Sequence, residues 1–215
     1  MDRQTLIPAM YEAMLRELGP SGWWPAESPL EVAVGAVLTQ NTNWRNVSRA
    51  IDNLREAGML DGAKLMALAP EDLAELIRPA GYYRLKAGRL RNLLAFLDRE
   101  CQFDFSRLKE QEMEELREGL LSVRGVGPET ADSILLYALD MPSFVVDAYT
   151  KRILNRHNLV TEDVEYHEMR ELFMDILDPD PQVYNEYHAL LVRTGHAWCK
   201  KRQQQCDSCP LRDFL

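Results

Sequence analysis

The feature that most constrains the fold is the spacing of the apolar residues, which recur every three or four positions along almost the whole 215-residue chain. This spacing gathers them on one face of an α-helix, whereas the alternation typical of β-strands is nearly absent. Glycine and proline interrupt the pattern at short intervals and mark helix ends. We therefore predict an all-α fold, with helices at about residues 4–18, 29–40, 43–57, 63–68, 70–78, 83–100, 111–122, 128–139, 148–156, 165–177 and 181–198.

Composition narrows the class of protein. Hydrophobic residues make up 46% and charged residues 27%, which is typical of a globular protein. No apolar run reaches the roughly 20 residues of a membrane span, and Met1-Asp2-Arg3-Gln4 lacks the pattern of a secretory signal. We expect a cytoplasmic protein with no membrane partner. The net charge of −9 argues against a general basic coat, so any binding of nucleic acid must use a local patch.

One local motif is more specific than the helical pattern. Residues 120–131 predict a helix, a Gly125-Val126-Gly127 turn and a second helix that starts at Pro128. The two glycines permit positive φ, the valine is expected to pack between the helices, and proline suits a first helical position. The loop amides and the helix N-terminus would then form an anion site suited to a DNA phosphate. The alternative is a plain glycine-rich turn between helices.

Further motifs occur in the order that one family shows. They are Leu38-Thr39-Gln40-Asn41-Thr42, Gly81-Tyr82-Tyr83 with Lys86-Ala87, the hairpin Gly125–Ala131, Val145-Val146-Asp147 with Arg152, and a cysteine run from Cys199. In this order the chain resembles the endonuclease III-like, helix-hairpin-helix (HhH-GPD) DNA glycosylases, in style closest to the 3-methyladenine branch. The resemblance implies two lobes with a DNA cleft between them. One is a six-helix barrel of residues 28–140 that carries the hairpin, and the other combines residues 1–27 and 141–215.

Asp147 is the candidate catalytic residue. It follows an apolar pair and directly precedes the helix predicted from residue 148. Hydrolysis of an N-glycosidic bond needs a negative group beside the sugar while positive charge develops on C1′. In the resembling family this aspartate stabilises that charge and orients or deprotonates water. The alternative role is an ordinary N-cap, and a capping aspartate is compatible with catalysis because it is held rigidly and ionised.

Glu129 bears on the type of reaction. Family members that also cut the DNA backbone carry a lysine at this place in the hairpin, which forms a Schiff base with the sugar. A carboxylate cannot form that imine, so we expect a monofunctional glycosylase that uses water. Glu129 also suits the first turn of a helix for electrostatic reasons alone. Lys151 is a conceivable substitute nucleophile that we do not favour.

The resemblance also assigns DNA contacts. Gln40 matches the residue that enters the duplex where the damaged base has left, with Asn41 and Asn43 as neighbours that could share the task; a polar loop after a helix is the alternative. Two basic clusters are candidate phosphate patches, or else solvated surface: Arg84, Lys86, Arg89 and Arg91, and Lys200, Lys201, Arg202 and Arg212. The candidate phosphate-binding residues are Gly125, Val126, Gly127, Thr130, Lys86 and Arg152.

Tryptophans suggest the class of damaged base. Trp24 and Trp44, with Trp23 beside the former, flank the segments that the resemblance places near the base, although tryptophan often simply packs in a core. Indole rings attract a cationic base through cation–π contacts, and Glu129 adds negative charge. An N-alkylated purine is cationic and a good leaving group. We therefore expect an alkylated purine as substrate, with oxidised pyrimidines as the competing class.

The cysteine run departs from the family pattern. Cys199, Cys206 and Cys209 have six and two intervening residues, and Leu215 stands where the family has a fourth cysteine. Three alternatives follow: a [4Fe–4S] cluster on three thiolates, a zinc site completed by His196, or a loop that holds no metal. Cys101 is expected to be a thiol outside this group.

The sequence as a whole predicts a base excision repair enzyme that acts as a monomer on double-stranded DNA with a damaged base, at the nucleoid if the source is bacterial. Three alternatives remain open at this point. The first is a bifunctional glycosylase and AP lyase like endonuclease III, which Glu129 opposes. The second is a non-catalytic DNA-binding protein with the same hairpin, which Asp147 opposes. The third is a helical metal-binding protein unrelated to DNA, which the ordered motifs oppose.

Overall fold

A computed structural model of the chain describes residues 2–215. Within that range, the only pairing of extended backbone is an isolated bridge between Cys199 and Gln204, and the all-α prediction is confirmed. The α-helices are α1 (Arg3–Leu18), α2 (Pro29–Leu38), α3 (Trp44–Glu56), α4 (Gly62–Ala67), α5 (Pro70–Leu76), α6 (Tyr83–Cys101), α7 (Met113–Ser122), α8 (Pro128–Ser133), α9 (Ala148–Arg156), α10 (Tyr166–Met174) and α11 (Pro181–Ala197). No helix among the described residues combines the length and the apolar character that crossing a membrane requires.

Local chemistry explains where most helices begin. Side chains of Asp2, Ser28, Asn43, Asp61, Asp147 and Asp180 accept hydrogen bonds from first-turn amides, which would otherwise lack partners. Proline occupies the first turn of α2, α5, α8 and α11, where its missing N–H costs nothing. One predicted helix differs in type: α8 ends at Ser133 and the chain continues as a π-helical segment, Ile134–Ala138.

The chain divides into two compact units. The central unit, Ala26–Met141, is built around α2, whose residues from Leu30 to Leu38 are all buried. This helix contacts α3, α6, α8 and the π-helical segment. Its apolar composition on nearly every side explains this buried position.

The terminal unit combines Pro142–Leu215 with the N-terminal segment that ends at Pro25. Its helices α9 and α11 pack closely because α11 carries Gly195, where an added Cβ would lie 2.5 Å from the Tyr149 ring. Its core includes an aromatic cluster of Phe144, Phe173, Tyr184 and Tyr187. Phe144 of this cluster immediately precedes Val145 and Val146 in the chain, so its ring contacts support the backbone that leads to the candidate site.

Candidate active site

Asp147 is held rigidly at the N-terminus of α9. Its Oδ1 atom accepts hydrogen bonds from the Tyr149 amide (2.9 Å), the Thr150 amide (2.8 Å) and the Thr150 hydroxyl (3.0 Å). The residues just before it, from Ser143 to Val146, are buried. The expected N-cap role is thus confirmed, and the cap engages one carboxylate oxygen while the other, Oδ2, points elsewhere.

His188 of α11 faces that second oxygen. Its Nε2 atom lies 3.8 Å from Asp147 Oδ2, and the imidazole is buried. Burial lowers the pKa of His188 below its usual range, and the attraction of the Asp147 carboxylate only partly opposes this. The imidazole is therefore neutral near pH 7, and the negative charge of Asp147 is preserved. Sequence reasoning missed His188 because α9 and α11 are brought together only by tertiary packing.

The hairpin in the central unit uses its two glycines differently. Gly125 has φ of +100°, and an added Cβ would lie 2.4 Å from Cγ of Arg89, so both conformation and space require glycine. Gly127 instead has φ of −101°, an extended conformation open to other residues, which corrects the prediction of positive φ at both glycines. Val126 is buried, as expected, and its amide donates to the Val123 carbonyl (3.0 Å).

Gln40 is anchored to this hairpin. Its Nε2 donates to the Gly125 carbonyl (3.0 Å) and to the Thr130 hydroxyl (2.9 Å), and Arg89 donates to its Oε1. Entry of Gln40 into a duplex would require breaking these three bonds. Thr130 is itself buried, so its hydroxyl serves this network rather than a phosphate.

The neighbouring loop residues differ in their freedom. Asn41 is exposed, with φ of +54°, and is the loop side chain best placed to leave the protein surface. Asn43, in contrast, caps α3 by accepting a hydrogen bond from the Asn46 amide (3.1 Å).

Lys86 does not reach the surface, which corrects its assignment as a phosphate contact. Its side chain is 1% exposed, and Nζ donates to the carbonyls of Leu38 (2.8 Å) and Ala80 (2.7 Å). Burial, with a smaller contribution from Arg89, lowers the pKa of Lys86 to about 8. Lys86 thus satisfies carbonyls at the end of α2 and in the 3₁₀ turn Arg78–Ala80.

Arg152, the other predicted phosphate contact outside the hairpin, is half-buried and joins parts of the terminal unit. Its guanidinium donates to the carbonyls of Cys199 (2.6 Å), Gly195 (3.3 Å) and Ala148 (3.2 Å). It also lies over the Tyr149 ring, 4.9 Å from the centroid. These contacts join α9 to α11 and to the start of the cysteine loop.

The remaining predicted residues lie as follows. Glu129 is exposed in the first turn of α8. Trp24 belongs to the terminal unit and packs against Trp23, with ring centroids 5.4 Å apart. Trp44 belongs to the central unit, where it begins α3, and both tryptophans are half-buried. The amine of Lys151, the substitute nucleophile considered above, donates a hydrogen bond to the Val164 carbonyl (2.9 Å).

Sequence reasoning did not single out Tyr82 as a contact residue. The ring is 72% exposed, the largest such fraction among the large hydrophobic side chains of the described residues. Its φ of +44° is uncommon for an aromatic residue. The signal was present in the Gly81-Tyr82-Tyr83 motif. Of the two basic clusters, Arg89 and Arg91 donate to protein oxygens, whereas Lys200, Lys201 and Arg202 are exposed.

The three cysteines of the cysteine loop, residues 199–209, line one pocket with Arg156 and His157. Arg156 donates to Sγ of Cys199 (3.1 Å), and burial raises the pKa of Cys209. Among the described residues, no group of three histidine, cysteine or acidic side chains is arranged to hold a metal ion. With three thiols the loop lacks one ligand of a four-thiolate cluster, and His196, the expected fourth zinc ligand, is not among the residues that line the pocket. Cys101, in the central unit, is buried and separate.

Comparison with known proteins agrees with this geometry. Residues 34–179 match the family model of the HhH-GPD superfamily base excision DNA repair proteins. The chain belongs to this superfamily. It is 47% identical over 210 residues to the Methanocaldococcus jannaschii protein named "Putative DNA repair glycosylase MJ1434", covering 97% of this chain and 95% of the relative. These similarities therefore support DNA glycosylase activity of the HhH-GPD type for this chain.

Solved structures share the fold. The 3-methyladenine DNA glycosylase MagIII of H. pylori, bound to 1,N6-ethenoadenine, has a TM-score of 0.76 and 28% identity, covering 91% of this HhH-GPD chain and 98% of MagIII. A trapped covalent complex of endonuclease III with DNA has a TM-score of 0.82, covering 100% of this chain and 96% of that one. At 24% sequence identity, this likeness shows only that the two chains share a fold. The resemblance stated from the motifs is thus confirmed.

Proposed function

We propose that the protein is a monofunctional DNA glycosylase that hydrolyses the N-glycosidic bond of an alkylated purine in double-stranded DNA. The observation that carries the proposal is the geometry of Asp147. Three donors hold Oδ1, so Oδ2 keeps a fixed direction. A fixed negative charge stabilises the oxocarbenium-like sugar without the cost of reorganising solvent.

The reaction balances with water as the only co-reactant. The bond between C1′ and the purine nitrogen breaks, and its electron pair leaves with the base, which neutralises a cationic N-alkylated ring. The water oxygen bonds to C1′, and its proton passes to Oδ2 of Asp147 and then to solvent. No amine enters the scheme, because Glu129 stands where an imine-forming lysine would be needed and Lys151 is engaged with a carbonyl.

Two observations support an alkylated purine over an oxidised pyrimidine. MagIII, a solved relative with 28% identity, is a 3-methyladenine DNA glycosylase and was crystallised with an ethenoadenine base. Trp24 in the terminal unit and Trp44 in the central unit are each half-buried, and indole rings attract cationic groups such as an alkylated purine. We also assign DNA contacts to Asn41 and to the exposed ring of Tyr82, since aromatic rings stack on unpaired bases.

Excision assays test the substrate class. Duplexes that contain 3-methyladenine should release free base and leave an alkali-labile abasic site with no strand cut. Duplexes with thymine glycol should be processed far more slowly. Borohydride should trap no covalent complex with either. Efficient cutting at thymine glycol with a trapped complex would instead support the endonuclease III type. Binding without base release from any duplex would support the non-catalytic alternative.

The assignment of Asp147 has a matched control in the same unit. Asp180 caps α11 in the way that Asp147 caps α9, through bonds from the Gln182 and Val183 amides. Asp147→Asn and Asp180→Asn therefore make the same chemical change at two helix N-termini. Loss of base release only in Asp147→Asn supports the proposed role, and equal rates in the two variants would refute it.

A further inference from the structure

The buried histidine opposite Asp147 has no role in the mechanism above. His188 belongs to α11, two turns before Gly195, the residue that allows Tyr149 of α9 to approach. The same helix contact that seats Tyr149 thus fixes the distance between the imidazole and the carboxylate. Nε2 lies 3.8 Å from Oδ2, which is too long for a hydrogen bond in the protein without substrate, and both side chains are largely shielded from solvent. Catalytic hydrogen bonds are often long in this state and shorten when the substrate binds.

We propose that His188 is a positioning residue for catalysis, whose Nε2–H orients the second oxygen of Asp147. The inference rests on the proposed catalytic role of Asp147. The two carboxylate oxygens then have separate supports: the first turn of α9 holds Oδ1, and α11 holds Oδ2. Rotation of the carboxylate about its Cβ–Cγ bond is restricted from both sides, which keeps Oδ2 directed for water.

The choice of a histidine has an electrostatic reason. An arginine or lysine at this place would orient Oδ2 equally well, but its permanent positive charge would offset the field that the developing sugar cation requires. A buried histidine with a lowered pKa donates a hydrogen bond while it stays neutral. The imidazole therefore supplies direction without cancelling charge.

Two substitutions separate orientation from packing. His188→Phe fills similar space without a donor, and His188→Gln keeps an N–H donor on a flexible chain. Under single-turnover conditions, we expect His188→Phe to slow base release about 10- to 100-fold, which is the range for loss of a hydrogen bond to a charged group. His188→Gln should recover most of the rate. The Kd for damaged duplex should change little in both.

A double-mutant cycle tests whether His188 acts through Asp147. In an Asp147→Asn background, His188→Phe should cause no further loss of rate. Thermal unfolding of each variant controls for folding, and His188→Leu, which also lacks a donor, serves if His188→Phe does not fold. The inference fails if folded His188→Phe keeps the wild-type rate, if His188→Gln is as slow as His188→Phe, or if the double variant loses rate additively. Full activity of Asp147→Asn would instead refute the proposed function itself.

Discussion

Two regions of the terminal unit, one around Asp147 and one around the cysteine loop, are both built on α9 and α11. At the first turn of α9, every hydrogen bond to Oδ1 of Asp147 comes from a residue two or three positions later in the chain. Farther along the same helix, Arg152 and Arg156 donate to the cysteine loop, where three thiols share a pocket. The first region holds one rigid carboxylate, whereas the second brings three thiols to one pocket with no fourth cysteine in the loop. The comparison indicates that one helix positions a carboxylate through local bonds and a loop through long-range ones.

The largest expected effect falls on the region around Asp147. Asp147→Asn should keep the cap, because asparagine also accepts from helix amides, yet it removes the negative charge beside the sugar. We expect base release to fall about 100- to 1,000-fold, the cost of removing one electrostatic stabiliser of a transition state. Single-turnover release of methylated purine measures this, with the melting temperature as a control for folding. A variant that is slow only because it is unfolded would not count.

Substitutions in the cysteine loop should have the opposite profile. We expect the triple change of Cys199, Cys206 and Cys209 to serine to leave base release nearly unchanged. Stability should fall by about 1–2 kcal/mol, because the buried Cys209 side chain becomes more polar. Urea unfolding and release assays measure the two quantities.

The metal content of the wild-type protein tests whether the cysteine loop holds a metal ion. Anaerobic purification followed by iron and zinc analysis, and by visible absorption, should show a colourless protein with full activity. Stoichiometric iron, or a triple variant that has lost base release, would contradict the view that the loop works without a metal.

How far the sequence predicts these regions depends on the range of the contacts. The cap by Asp147, the conformation of Gly125 and the burial of α2 follow from neighbours in the chain, so local reasoning identified them. Lys86 did not follow, because its two carbonyl partners belong to segments that meet only after folding. A lysine next to arginines indicates a basic surface until tertiary structure turns it inward.

Arg152 is a second residue whose partners could not be identified from the local sequence. The family resemblance placed it near DNA, and its position after Asp147 made a phosphate contact plausible. Its carbonyl partners at Gly195 and Cys199 lie more than forty residues away in the chain. Their orientation depends on how α11 ends, which no local pattern encodes. His188 escaped notice for the same reason.

Acid should weaken both regions through one histidine in each, buried at His188 and half-buried at His157. Burial lowers the pKa of His188, beside Asp147, and of His157, which contacts the Phe214 carbonyl (3.1 Å) after the cysteine loop. The unfolded chain takes up these protons near its usual pKa of 6.5, before the folded protein does. The contribution of the two neutral histidines to the free energy of unfolding is therefore fully present above pH 6.5, and it is lost as the pH falls below that value.

Urea unfolding at about pH 7.5 and about pH 5.5 measures this loss. His157→Gln should reduce the difference between the two pH values while leaving base release at neutral pH unchanged. His188→Gln should also reduce it, and it provides an independent check on the second histidine. A pH dependence that is the same in wild type and in both variants would assign the acid sensitivity to other groups.

The smallest expected effect concerns DNA affinity at the exposed part of the cysteine loop. Lys200, Lys201 and Arg202 are exposed and adjacent in a protein with net charge −9, so they form a local positive site that the whole molecule does not provide. Each phosphate that they neutralise should contribute about 0.9 to the slope of log Kd against log salt. Neutralising all three to glutamine should reduce the slope by up to about 3. The control neutralises Arg99, Arg107 and Lys109, which are also exposed, on the central unit, where each pairs with a carboxylate. If both triple variants lower the slope equally, the effect reflects net charge, and the loop has no special role in binding DNA.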